Sequence, residues 1–349
     1  MSTAAAHQVE AFEPPEPGTA HAVADGILWM RFPLPMRGLD HVNLYALDDG
    51  ADGWTLIDTG LDWPSGREAW AALHAGPLGG RPVHRVILTH HHPDHIGLAG
   101  QRVDEGAALY ATRIAWLTGR MLQLDRQETA TPEQIAFRQS AGVKGERLET
   151  YRSERPFNFA DCVAAIPLGY HALGEGDRII AGGRSWHIRL GEGHAPAHLT
   201  LWSEDGELLI SGDQVLPGIS PNIGVYPTEP EADPLSGWLE TCRRFAALGA
   251  DPLVLPGHKR PFHGLGPRLV ALIENHSSAL SRIETALSAS PLTAVGAFDA
   301  LYRRPIGDGE FGLAMAEAIA HMNHLYRAGR ATRRRDADGA WLYSAAESP

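Results

Sequence analysis

Lysine is nearly missing from this chain: Lys144 and Lys259 are the only two, and arginine supplies the rest of the basic charge. The 30 basic residues face 42 acidic ones, which leaves a net charge of −12. A phosphate backbone rewards an excess of Lys and Arg, so this balance excludes a general nucleic-acid binder. Cysteine is equally scarce. Cys162 and Cys242 make no disulfide framework and read as buried thiols of a reducing compartment. No apolar run approaches the length of a membrane span. The start of the chain, through Glu13-Pro14-Pro15-Glu16-Pro17, has neither the basic beginning nor the apolar segment of a secretory signal. The expectation is a cytoplasmic protein with no membrane partner. What remains is 349 residues, 44% hydrophobic and 21% charged. That is the profile of one large globular domain with a small appendage.

Residues 1–22, rich in Ala, Pro and Glu, read as a weakly ordered arm. Short β-type runs follow at Ile27–Met30, Val42–Tyr45, Trp54–Ile57 and Val83–Thr89, with a helix near Arg67–Ala75 ended by Gly76-Pro77. Residues 111–160 break the rhythm. Ile114, Leu117, Met121 and Leu124 recur at helical spacing, which predicts a helical insertion near the site, forming one wall of a substrate pocket. Strands resume at Trp186–Leu190, and the runs 198–203 and 207–211, joined by Glu204-Asp205-Gly206, read as a hairpin. A helix over Pro234–Leu248 precedes the buried run Pro252–Leu255. After about residue 263 the texture turns helical: Pro267–Ala289, a second start at Ala294, and Gly312–Ala328 with Gly329 as C-cap. A closing hairpin turns at Asp336-Ala337-Asp338-Gly339. Helices ending in a hairpin resemble a winged-helix module. The expected division is therefore an arm at 1–22, a catalytic domain at 23–262 and a winged-helix-like domain at 263–349.

The densest chemistry is His90-His91-His92-Pro93-Asp94-His95, which places four imidazoles and a carboxylate directly after Val86-Ile87-Leu88-Thr89. Imidazole and carboxylate suit zinc or a similar divalent ion. Three further donors, His194, Asp213 and His258, each follow a glycine and a short apolar run. Loops converge where strands end, so all these donors are expected at one edge of a layered α/β structure. His91 alternates out of phase with His90 and His92 and reads as a packing residue. His198, at the start of the next strand, is the rival to His194. His171, His187, His263, His276, His321 and His324 carry no ligand spacing and read as core or surface histidines.

Taken in order, these pieces resemble the metallo-β-lactamase superfamily. Its HxHxDH motif is matched by His90, His92, Asp94 and His95, and its later elements by Gly193-His194, Gly212-Asp213 and Gly257-His258. Asp58-Thr59-Gly60 also fits, and the resemblance covers about residues 24–262. It implies an α/β fold, the four-layer αββα sandwich, and two divalent metal ions. Zinc is the default, with iron or manganese as alternatives. By the family pattern His90, His92 and His194 hold one ion, and Asp94, His95 and His258 the other. Asp213 bridges, so Asp94 and Asp213 stand among the catalytic groups, and a hydroxide shared by the ions is the nucleophile. Asp58 and His198 would stand behind the ligands and orient them.

Ser211–Pro217, Ser220-Pro221-Asn222 and Leu255-Pro256-Gly257-His258 resemble the glyoxalase II-like hydrolases with a winged-helix tail, and Glu317–His321 and the closing hairpin fit that tail. This implies hydrolysis of a carbonyl compound, first of all a small acyl thioester such as acyl-CoA or acylglutathione. Lys259 and Arg260, beside His258, are candidates to meet a phosphate or carboxylate tail, as are Arg113, Arg120, Arg126, Arg138 and Lys144. A lactonase or β-lactam hydrolase is the second reading, and an endoribonuclease for single-stranded RNA the third. The Arg330, Arg333, Arg334, Arg335 cluster speaks for the last, but residues 263–349 carry nine arginines and nine acidic residues and no net charge. That tail reads instead as a structural or homodimerisation element. A non-enzymatic scaffold fits poorly, because the ligand set is complete.

Overall fold

The computed structural model describes residues 8–10, 12–36 and 39–346. The chain forms two compact units. The first comprises 1–126, 158–221 and 246–268, and the second 127–157, 222–245 and 269–349.

The first unit is an α/β sandwich of two sheets with helices. Among the described residues each sheet has seven strands. One runs, in spatial order, His21–Ala24, Ile27–Pro33, His41–Asp48, Trp54–Ile57, Val83–Ile87, Ala108–Ala111 and His171–Ala172. It begins antiparallel and turns parallel from Trp54–Ile57 onward. The other runs Gln8–Val9, Phe262–His263, Leu253–Pro256, Leu208–Gly212, His198–Ser203, Arg184–Gly191 and Arg178–Ala181. Within the stretch expected as an arm, Gln8 and Val9 thus pair with His263 and Phe262.

Side chains alternate across a strand, so one strand serves two cores. In Ile27–Pro33, Ile27 and Trp29 face the second sheet's Trp186, Ile188, Leu201 and Ile210. Leu28, Met30 and Phe32 face outward, toward Ala69, Trp70 and Leu73 of the helix Pro64–Ala75. His41–Asp48 repeats the pattern: Tyr45 and Leu47 point in, Val42, Leu44 and Ala46 out. Each fully buried large side chain contributes about 1.5–3 kcal/mol of apolar transfer. The hairpin at Glu204-Asp205-Gly206 forms as expected, joining His198–Ser203 to Leu208–Gly212.

The insertion contains three helices, Arg113–Leu124, Pro132–Ser140 and Glu146–Ser153. In the first, the apolar residues are not the packing face: Ile114, Leu117, Met121 and Leu124 are exposed, while Ala115 and Gly119 are buried. Gly119 lies so close to Ile96 and Ile166 that an added Cβ would sit 2.9 Å and 3.2 Å from their methyl carbons.

The second unit holds the helices Pro234–Ala246, Leu265–Ala289 (from residue 269), Phe298–Tyr302 and Phe311–Arg327. It closes with the antiparallel pair Ala331–Arg335 and Trp341–Ala345. No described helix is long and apolar enough to cross a membrane.

Candidate metal centre

The strand Val83–Ile87 delivers Thr89 and His90 to the sheet edge, and the next turn enters the short helix Pro93–Ile96, which carries Asp94 and His95. Asp58 follows the neighbouring strand with a positive φ of 61°. Such a backbone costs about 1–3 kcal/mol for a residue with a Cβ and persists where surrounding contacts fix it. Here they do: Asp58 Oδ1 accepts from the Thr89 amide at 2.8 Å, and Oδ2 from Thr89 Oγ1 and His95 Nδ1, both at 2.7 Å. Because the Thr89 hydroxyl donates to Asp58, it accepts from His90 Nδ1 at 3.0 Å. One buried carboxylate therefore sets two imidazoles, directly and through Thr89, leaving the Nε2 lone pairs of His90 and His95 for the site. His258 is set likewise: its Nδ1 donates to the His41 carbonyl at 2.7 Å.

The open nitrogens and carboxylates converge. His90 Nε2 lies 3.0 Å from His92 Nδ1 and 3.3 Å from His194 Nε2. Asp213 Oδ2 lies 3.5 Å from His194 Nε2 and 3.1 Å from His258 Nε2, and Asp213 Oδ1 3.6 Å from His95 Nε2. Asp94 Oδ2 stands 3.6 Å from His95 Nε2 and 3.4 Å from His258 Nε2. Tetrahedral zinc with bonds near 2.1 Å separates its ligands by about 3.4 Å, so this is ligand spacing. In each of three overlapping triads the ligand atoms lie within 4.8 Å of one another: His90, His92, His194; His90, His95, Asp213; and Asp94, His95, His258.

Two buried atoms test the fit. Among the described residues His95 Nε2 and Asp213 Oδ1 have no hydrogen-bond partner. Buried polar atoms are ordinarily paired, and a cation between them pairs both. The backbone makes room. A Cβ on Gly257 would lie 2.1 Å from Asp213 Oδ1, and one on Gly212, at φ +48°, would lie 2.6 Å from His198 Cε1. The donor set therefore suits divalent metal.

Electrostatics divide the site. Burial pushes His90 and His92 well below the ordinary imidazole value, and the neighbouring rings push the same way. Burial also opposes a charge on His95, yet Asp94, Asp213 and Asp58 raise it well above that value. His258 is raised to about 10 by Asp213 and Asp94 against burial. Asp213 is held well below the carboxylate range: burial opposes this, and His258 and His95 outweigh it.

His198 donates no ligand atom to these triads. Its ring stacks on His90 at 4.6 Å, and its Nε2 accepts from the Asp213 amide at 3.1 Å. His91 is buried and lies outside the triads. Arg120 donates to the Ile166 carbonyl at 2.5 Å, and Arg138 lies over the Tyr151 ring. Lys259 and Arg260 line a cavity of about 490 Å³ with Arg31, His41, Pro217 and Ile219. Lys259 has φ +70° and is pinned by its amide to His41 Nε2 at 3.0 Å and by its carbonyl to Asn43 Nδ2 at 2.7 Å. Sequence reasoning missed Arg31, His41, Asn43 and Thr89. Thr89 alone carried a signal, standing between a buried strand and the histidines.

The pattern described as the metallo-beta-lactamase superfamily matches residues 37–258, and the one described as metallo-beta-lactamase-like, C-terminal domain, matches 280–346. The chain belongs to the metallo-β-lactamase superfamily, whose members are metal-dependent hydrolases. A beta-lactamase domain protein from Burkholderia ambifaria shares 35% identity and a TM-score of 0.87, over 97% of each chain. The metallo-beta-lactamase family protein TTHA1429 from Thermus thermophilus shares 28% identity and a TM-score of 0.76, over 93% of this chain and 100% of that one. The probable metallo-hydrolase YqjP of Bacillus subtilis (strain 168) is 26% identical over 310 residues, 86% of this chain and 92% of its own length.

Proposed function

We propose that this chain is a dinuclear metal-dependent hydrolase of small acyl thioesters, such as acyl-CoA or acylglutathione. The observation that carries the hydrolytic part is the convergence of seven donors with two buried, unpaired ligand atoms. In this reading His90, His92 and His194 would hold one ion and Asp94, His95 and His258 the other, with Asp213 a further donor to the centre. Zinc suits the set, with iron or manganese as alternatives. Two such ions, when bound, supply an activated water at neutral pH and polarise the scissile carbonyl.

The chain's own groups do the rest. Asp58 and Thr89 keep His90 and His95 in the tautomer that leaves Nε2 open. His198 fixes the backbone of Asp213. A thioester with an anionic tail is supported by the cavity beside His258, where Arg31, Lys259 and Arg260 gather on a protein of net charge −12. Arg31 Nε is buried and has no hydrogen-bond partner among the described residues, and the carboxylate of Asp40 is 4.0 Å from its NH2. Fixed guanidinium and ammonium groups suit phosphate or carboxylate. His41 joins the two regions, since its carbonyl holds His258 and its ring holds Lys259.

Thiol release measured across CoA and glutathione esters tests this. The expectation is turnover of thioesters, with Lys259→Ala raising KM for anionic substrates about tenfold or more, the loss of roughly 1.4 kcal/mol of binding. Activity confined to lactones or to single-stranded RNA would replace the thioester reading.

A further inference from the structure

The second unit brings together ligand-type side chains that are far apart in sequence. His276 stands in the helix Leu265–Ala289, and Glu317 and His321 stand in Phe311–Arg327. Residues four apart share a helix face, so the latter two point the same way. One ligand atom from each of the three lies within 4.8 Å of the others. His276 and His321 are 1% and 0% exposed.

The proton position of His321 follows from its partner. His321 Nδ1 lies 2.8 Å from the Glu317 carbonyl, which can only accept, so this nitrogen carries the proton. Nε2 of His321 keeps its lone pair and lies 3.1 Å from His276 Nδ1. A histidine that binds metal donates its other ring N–H to a carbonyl in this way. The Glu317 carboxylate has one hydrogen-bond partner among the described residues, the Tyr302 hydroxyl at 3.1 Å, and no ion pair with Arg or Lys. That hydroxyl also lies 2.8 Å from the Ala314 carbonyl and has a single proton to give. Trp238 packs edge-on against His276 with ring centroids 4.9 Å apart, and its buried Nε1 has no acceptor among the described residues. Glu317 is half-buried, and burial raises its carboxyl to about 7, so it readily exchanges its proton for a cation. Two imidazoles plus one carboxylate make a zinc-type set with a fourth position open.

We propose that His276, Glu317 and His321 form an additional divalent-cation site, of the zinc class, separate from the centre that carries hydrolysis. The site joins the helices Leu265–Ala289 and Phe311–Arg327 and takes no part in turnover.

The test is metal content of the full-length protein after equilibrium dialysis against Zn2+, for the unaltered chain and for Glu317→Gln, His276→Ala and the double variant. Circular dichroism reports whether each is folded. The expected result is the loss of one equivalent of zinc in every folded variant, with hydrolytic turnover unchanged. The same one-equivalent difference is expected in a His92→Ala background, so the reading does not depend on the hydrolytic centre. If His276→Ala does not fold, the nearly isosteric Glu317→Gln decides. A folded Glu317→Gln protein that still binds as much zinc as the unaltered chain overturns the proposal, and leaves a hydrogen-bonded histidine pair beside a neutral carboxyl.

Discussion

At the scale of single residues the centre depends also on positions outside the donor set. A methyl group on Gly257 would overlap Asp213 Oδ1, at 2.1 Å from ideal Cβ to oxygen. Gly257→Ala is therefore expected to displace Asp213 and lower bound metal while leaving far-ultraviolet circular dichroism unchanged. Metal content equal to that of the unaltered chain would show that Asp213 does not help to hold metal. The donors were legible because they lie in a compact motif and in three Gly-His or Gly-Asp steps, each directly after an apolar run. The parts played by His41 and Asn43 were not. They arise from contacts with His258, Lys259 and Pro256 across more than 200 positions, which no local pattern encodes. His276 and His321, read from the sequence as core or surface histidines, are buried, but their pairing was hidden for the same reason: they meet only when two helices pack.

Whole elements show where periodicity stops being informative. The spacing of Ile114, Leu117, Met121 and Leu124 reveals a helix, yet burial follows the small residues opposite, because Gly119 permits approach to Ile96 and Ile166. Contact between the sheets was equally hidden. Asp49, in the turn after His41–Asp48, accepts from Thr55 Oγ1 at 2.5 Å, His84 Nε2 at 2.7 Å and the Gly182 amide at 2.7 Å, the last in the turn between Arg178–Ala181 and Arg184–Gly191. Asp49→Ala should destabilise the fold by about 1–3 kcal/mol, measured by urea unfolding. A change within error would show that the turn needs no such anchor. Burial alone would raise this carboxyl, but the Thr55, His84 and Gly182 donors hold it below its ordinary value. A lowered carboxyl stabilises above its unfolded pKa and loses that contribution as pH falls through the folded value, so the penalty of Asp49→Ala should shrink in acid.

For the molecule as a whole, the sandwich follows from strands with two buried faces, and the family from the order of five short motifs. The make-up of the second unit does not follow from composition. Its helices draw on separated segments: Asn323 holds the Pro230 and Ala232 carbonyls, His324 meets Asp233 at 3.1 Å, and Val295 donates to Ala141. A protein ending at residue 262 would keep Leu235, Trp238 and Phe245 but lose the partners of that unit. It should precipitate or bind a hydrophobic dye, whereas a soluble product with cooperative unfolding would contradict the grouping. Whether the clustered imidazoles and carboxylates act through divalent metal is decided by turnover of the metal-stripped protein as zinc, iron or manganese is added back. No hydrolysis is expected before addition, and recovery afterwards, with His92→Ala inactive throughout. Full turnover by the stripped protein would contradict a role for metal.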